Sequence, residues 1–311
     1  MPWRYLIKRT FHIVIVVFIV TIIIFTLMRL APGNPAAMML PETASDDDVR
    51  EMEIILGLDK PWPVQYFVYI SNVLRGDLGL SITWGGGNTS VVQLVGQRFP
   101  YTFKLAIYSG LLAIALCIPL GIIAGANRGK PADFFAMFFA LVGQSMSPVW
   151  LAVLLVYVFS VILGLLPAIG GEGFTAFILP ALTIGYPMAA ELTRVGRSGM
   201  IDTLGEDYIT ATYARGVSRV TVNWKYAFRN AVCPIITLLG LSLASNLAGT
   251  LVVESIFAVP GLGQLMFRSI NVRDYPVVQS LMLIFALIYA GINLLVDIVN
   301  SIVDPRISLE D

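Results

Sequence analysis

Tyr208, Ala211, Thr212 and Arg215 recur at spacings of three and four, so a helix over this stretch sets all four on one face. Asp207 precedes them and Gly216 follows, an acid at the positive end of the helix dipole and a residue that stops a helix as a C-terminal cap. The chemistry on offer is recognition: a phenol, a guanidinium and small residues that let another surface come close. They sit in a polar island, residues 191–230, with six basic side chains: Arg194, Arg197, Arg215, Arg219, Lys225 and Arg229. A solvated basic loop is the plain alternative. The helix–glycine–helix pattern with small residues favours a docking surface.

A second constellation is polar but uncharged. Ser242, Asn246, Gly249, Thr250 and Val253 form one helical stripe, and Gln144, Ser147 and Pro148 interrupt another apolar run near its middle. Such stripes serve as packing seams between membrane helices or as a mildly polar pathway tolerant of varied cargo. Catalytic chemistry is lacking. Gly125-Ala126-Asn127-Arg128-Gly129-Lys130-Pro131 approaches a phosphate-binding loop, but its glycines are one residue too close and Pro131 stands where the magnesium-holding hydroxyl belongs. Cys117 and Cys233 read as small apolar filler, with no disulfide or metal-ligand spacing, and His12 as interfacial. No catalytic residues, bound cofactor or metal site are expected.

The elements that position these groups follow from composition. The chain has 311 residues, 57% hydrophobic and 13% charged. Crossing the ~30 Å hydrocarbon layer takes roughly 20 apolar residues in helix, because an open sheet edge in lipid leaves backbone groups unpaired. Six runs qualify: 11–28, 105–126, 134–163, 174–190, 231–253 and 277–303. The first exceeds the apolar core of a signal peptide and reads as a retained helix. The basic connections fall on one side if both termini are cytoplasmic, since the third-to-fourth connection carries no Lys or Arg. The expected fold class is all-α, six transmembrane helices in a single domain, 1–311, with a large extracytoplasmic loop, 30–101, and a cytoplasmic segment, 191–230.

The external loop promises structure of its own. Ser45 as N-cap, Asp46, Asp47 and Asp48 in the first turn, and Met52, Ile55 and Leu56 on one face predict a helix ending at Gly57. Aromatics cluster at Trp62, Tyr66, Phe67 and Tyr69, and Gly85-Gly86-Gly87 marks a turn. Such a loop either shields the helices or meets an external partner. Arg29, Glu191, Glu254 and Asp297 lie toward helix ends, so no charge sits near the midplane as a self-powered carrier would place it. A secondary transporter or channel is therefore disfavoured, and a membrane scaffold would leave the external loop unexplained.

The motifs together resemble the permeases of binding-protein-dependent ABC importers, in the dipeptide/oligopeptide branch. The residues that carry this are Asp207-Tyr208, Ala211, Arg215-Gly216, Ser218, Arg229-Asn230-Ala231 and Pro234. The wider importer pattern opens Glu-Ala-Ala; here Thr210-Ala211-Thr212 keeps only the middle residue. Leu30-Ala31-Pro32-Gly33-Asn34-Pro35, Arg75-Gly76-Asp77-Leu78-Gly79-Leu80-Ser81, Glu254-Ser255-Ile256-Phe257 with Pro260-Gly261-Leu262-Gly263, Arg273-Asp274-Tyr275-Pro276 and Asp304-Pro305-Arg306 follow in order along the whole chain. The resemblance implies a non-catalytic subunit of a bacterial or archaeal cytoplasmic membrane. Its partners would be a second, similar permease, two cytoplasmic ATPases that hold the ATP and magnesium, and an external substrate-binding protein, with no nucleic acid. Peptides are the implied cargo; nickel, glutathione and some oligosaccharides occur in the same branch. Asp207, Tyr208, Ala211, Thr212, Arg215 and Gly216 would couple to the ATPase. Gln144, Ser147, Ser242, Asn246, Gly249, Thr250 and Val253 would line the path. Glu254, Phe257, Pro260 and Gly261 would belong to an irregular external segment near the outer gate.

Overall fold

The computed structural model describes residues 3–30, 34–38, 40, 43–55, 57–170 and 173–303. Of the quoted motifs, Ala31-Pro32-Gly33 and Asp304-Pro305-Arg306 lie outside the described residues. Among those described, the regular structure is helical, apart from one isolated bridge between Leu80 and Ser90. The order is α1 (Trp3–Leu30), α2 (Pro35–Met38), α3 (Asp46–Ile55), α4 (Trp62–Leu74), α5 (Val91–Ala126), α6 (Pro131–Ser145) and α7 (Pro148–Val156). Then come α8 (Thr175–Leu204), α9 (Asp207–Ala214), α10 (Arg219–Thr221), α11 (Phe228–Gly249), α12 (Leu251–Ile256), α13 (Leu262–Asn271) and α14 (Tyr275–Val303). Five helices are long and apolar enough to cross a membrane, and the bent pair of α6 with the run that α7 opens makes the sixth.

That bent pair corrects the third span. One span over 134–163, interrupted at Gln144, Ser147 and Pro148, was the expectation; the interruption is a turn of 102° between Ser145 and Pro148 that breaks the span into two helices. Met146 and Ser147 are extended, with ψ of 126° and 138°. Pro148 has no N–H to give the preceding turn, and its ring drives Ser147 out of the helical region. Past α7 the helix loosens into a π-helical turn, Tyr157–Ile162.

The fourth span is corrected in the other direction. It does not end at Ala190 but runs to Leu204, so the first third of the polar island is the end of a membrane helix. Its inward residues, Leu192, Gly196 and Met200, keep helical spacing and are buried, while Arg194 and Ser198 point outward. This helix is the centre of the molecule, packed on α5, α6, α7 and α11. Small residues permit the approach: a β-carbon on Gly121 would stand 3.5 Å from the Gly196 backbone, and one on Gly185 would stand 2.8 Å from the Ser109 carbonyl. α1 exposes most of its apolar surface, whereas α14 buries Val277, Val278, Leu281 and Leu283 at its outer end and exposes Leu287, Leu295 and Val299 further along.

The external helix α3 forms as its sequence predicts. The Ser45 hydroxyl accepts from the Asp48 N–H at 3.3 Å, and the Asp48 carboxylate accepts from the Ser45 N–H at 2.8 Å, a reciprocal capping box. Leu56 lies outside the described residues. Two external motifs then close on one another. The buried Asp274 carboxylate accepts from the Ser81 hydroxyl, from the Thr83 hydroxyl at 2.8 Å and from the Thr83 N–H at 3.1 Å.

Candidate coupling surface and translocation cleft

Between the ends of α8 and α11, the short helix α9 hangs on an apolar peg. Glu206 is extended and its carbonyl accepts from the Ile209 N–H at 3.0 Å, which starts the helix. Ile209 is buried against Ile122, Met200, Val222, Ala227 and Ala231. The Asn230 amide donates to the Tyr208 hydroxyl at 2.6 Å, tying the helix to the root of α11. Tyr208, Ala211 and Arg215 are exposed together with Asp207. Thr212 departs from this group: it is buried, and its hydroxyl donates to the Tyr208 carbonyl at 2.7 Å. Gly216 ends the helix with φ of +78°, and its N–H donates to the Tyr213 carbonyl at 2.9 Å. Any other residue there meets left-handed strain of roughly 1–2 kcal/mol, although no neighbour fills the space of its β-carbon.

The basic side chains of the island divide. Arg215, Arg219, Lys225 and Arg229 are exposed around α9. Arg197 is occupied: its Nη2 donates to Asp133 Oδ2 at 2.8 Å and its Nε to Oδ1, while the Gly129 N–H also donates to Oδ2 at 2.9 Å. That bidentate pair clamps the start of α6 to the end of α8. Between α10 and α11 the chain makes a second π-helical turn, Val222–Ala227, directly against α9.

Within the membrane, the bend of the third span opens a cleft of about 460 Å³ toward α8 and α11. Gln144, Ser242, Asn246, Thr250 and Val253 line it, so the structure brings most of the predicted path residues together. Ser147 instead opens α7, its carbonyl accepting from the Leu151 N–H at 3.0 Å. Gly249 ends α11. Sequence reasoning missed the contribution of α8: Thr183, Pro187, Met188 and Glu191 line the facing wall. The four-residue spacing of Thr183, Pro187 and Glu191 was the available signal; ending the span at Ala190 left Glu191 outside it. The polar groups on offer are hydroxyls, amides, the Met188 thioether and one carboxylate, Glu191, which sits midway along α8 and not toward a helix end as its sequence position suggested.

At the outer end, Thr250 links the cleft to Glu254, donating to Oε1 at 3.2 Å. Glu254 is fully buried, and Oε1 also accepts from the Thr102 hydroxyl at 2.7 Å, while Oε2 accepts from the Gln264 N–H at 2.9 Å. Thr102 in turn accepts from the Leu262 N–H at 2.8 Å. The carboxylate thus caps the N-terminus of α13, where backbone donors and the helix dipole favour a negative charge. Burial pushes the Glu254 carboxyl above the usual carboxylate range, and these hydrogen bonds pull it back. Phe257 is buried in the cluster around Leu105 and Val253, and Pro260 is exposed. The expected irregular segment over 254–263 is therefore confined to the residues between Ile256 and Leu262. Glu254 and Phe257 serve as internal anchors there, not as an open rim.

The site therefore comprises a polar cleft among broken membrane helices and an exposed helix slung between two of them. The fold is shared with the MetNI methionine ABC transporter in an inward-facing crystal form, at a TM-score of 0.56 and 16% identity over 68% of this chain and 97% of that one. A histidine-bound amino acid ABC transporter matches at 0.50, with 17% identity over 69% of this chain and 94% of that one. This chain belongs to the binding-protein-dependent transport system inner membrane component family, which matches residues 117–309, and the family's N-terminal membrane component matches residues 2–106. It is the permease component of an ABC importer of the cytoplasmic membrane. The glutathione transport system permease protein GsiC of Escherichia coli strain K12 is 38% identical over 98% of both chains. The protein of that name from Shigella flexneri serotype 5b is 37% identical over the same shares.

Proposed function

We propose that this chain forms one half of a translocation path for short peptides, paired with a second, similar permease. Two cytoplasmic ATPases dock on α9, and a substrate-binding protein delivers cargo from outside. ATP and magnesium stay on the ATPases, and this chain contributes the lever and the wall of the path. One observation carries the reading: α8 and α11 line the polar cleft and also hold α9 between their cytoplasmic ends. A push on α9 therefore reaches both walls through Ile209 and Tyr208 without an intervening flexible linker.

Peptide cargo is supported by the cleft and by the relatives. Its volume falls in the roughly 300–1,000 Å³ range of small-molecule sites. Hydroxyls and amides match peptide groups, and Glu191 offers a counter-charge to an ammonium. Glutathione, a tripeptide and the cargo named for the 38%-identical permeases, is the first compound to test. In proteoliposomes containing the assembled transporter, peptide uptake should require both ATP and the binding protein. Uptake by this chain alone without ATP would overturn the reading.

A further inference from the structure

The external helix α4 is anchored to the first span well below its outer end. The membrane-crossing part of α1 is Phe11–Leu30. At 1.5 Å per residue, Phe25 lies about 8 Å and Thr21 about 14 Å below Leu30. The Tyr66 hydroxyl stands 2.9 Å from Thr21 Oγ1. The Tyr66 and Tyr69 rings lie 5.5 and 6.2 Å from the ring of Phe25, and Arg29 Nε donates to Gln65 Oε1 at 2.8 Å. These contacts fix α4 at the depth of the outer half of the bilayer, not above it.

The two faces of α4 differ as that depth requires. Gln65 and Asn72, seven residues apart, share a face turned to the external loops: the Gln65 amide donates to the Leu58 and Lys60 carbonyls at 3.0 and 2.7 Å, and both residues line a pocket with Asp77 and Tyr275. At 100° per residue, Phe67 and Leu74 fall about 180–200° away from Gln65. They are 73% and 82% exposed, and Val64 on their flank is exposed as well. On α1, Phe18 and Ile22 are exposed beside the Tyr66 contact, and Leu27 is exposed on the opposite side of the helix.

We infer that α4 lies in the plane of the outer leaflet, with Phe67 and Leu74 among the acyl chains. The amphipathic pattern and depth are those of an interfacial helix, whose apolar face sits about 5–10 Å into the headgroup–acyl boundary. The inference concerns the lipid contact alone and does not rest on cargo or coupling. Spin labels placed at Phe67→Cys, Leu74→Cys and Asn72→Cys, in a background lacking Cys117 and Cys233, test it in the assembled transporter in lipid nanodiscs. Collision with oxygen relative to a water-soluble nickel chelate should be several-fold higher at 67 and 74 than at 72. Because 67 and 74 are exposed in the fold, labelling them leaves the packing intact. Equal nickel access at all three sites would place the helix in water. Exclusion of both reagents from 67 and 74 would mean that a protein partner covers them. Either result overturns the inference.

Discussion

The carboxylate of Glu254 occupies the space that a β-carbon on Gly261 would need. Glycine at 261 is thus set by close approach and not by backbone strain, since its φ of −98° is open to any residue. Gly261→Ala must push the carboxylate off the N-terminus of α13, leaving the buried donors of Thr102, Thr250 and Gln264 poorly satisfied. An unsatisfied buried donor costs about 1–3 kcal/mol. Both Gly261→Ala and Glu254→Ala should lower the melting temperature of the purified transporter, and the double variant should fall no further than the worse single one. Additive losses would mean that the two residues act separately.

Asp274 plays the corresponding part between the external motifs, gathering Ser81 and Thr83 over a separation of up to 193 residues. Asp274→Ala should free the segment around Ser81 and make it several-fold more sensitive to protease in membranes. An unchanged cleavage rate would show that the bridge at Leu80 and Ser90 suffices to hold it.

The Asp133–Arg197 pair is a clamp between α6 and α8 at the membrane's basic side. With Asp133 only 7% and Arg197 28% exposed, its bidentate geometry should give a coupling energy at the upper part of the 0.5–3 kcal/mol seen for residues in contact. A double-mutant cycle with Asp133→Asn and Arg197→Gln on thermal stability measures it directly. Coupling near zero would reduce the pair to a surface contact.

How much of this was legible in the sequence depends on distance along the chain. The capping box at Ser45 and Asp48 and the turn at Gly57 were readable because every determinant lies within one helix. The membrane runs were readable from length and apolarity. The extension of α8 was not, because residues 191–204 were read by charge when their helical period, Leu192, Gly196 and Met200, carried the information. Pro148 announced an interruption, yet a turn of 102° depends on what α6 and α7 pack against. Thr212 shares a helical face with Tyr208 and Arg215 by spacing, and only the burial of Ile209 beside it shows that this face is turned partly inward. Contacts such as Asp274 to Ser81 leave no local trace at all.

If the cleft is the path, a cysteine scan of α8 and α11 should show cargo-protected labelling at 191, 242, 245 and 246. Positions such as Leu239 and Leu243, which pack on the cluster around Cys117, should stay unlabelled. Uniform inaccessibility of the polar positions would make the stripe a packing seam. Glu191→Gln should reduce uptake of peptides with a free ammonium more than uptake of their N-acetylated forms; equal reduction would leave Glu191 without a role in cargo charge.

In the proposed mechanism α9 carries force from an ATPase to the walls of the cleft. Its most direct test is the number of ATP molecules hydrolysed per peptide imported, measured in proteoliposomes for wild type, Ala211→Arg and Gly216→Val. Ala211 lies on the exposed face where a bulky cation blocks close approach, and Gly216 needs its left-handed φ to end the lever. Both variants should assemble and continue to hydrolyse ATP while uptake falls at least about tenfold, a difference of about 1.4 kcal/mol in coupling. A wild-type ratio of ATP to peptide in both variants would contradict it.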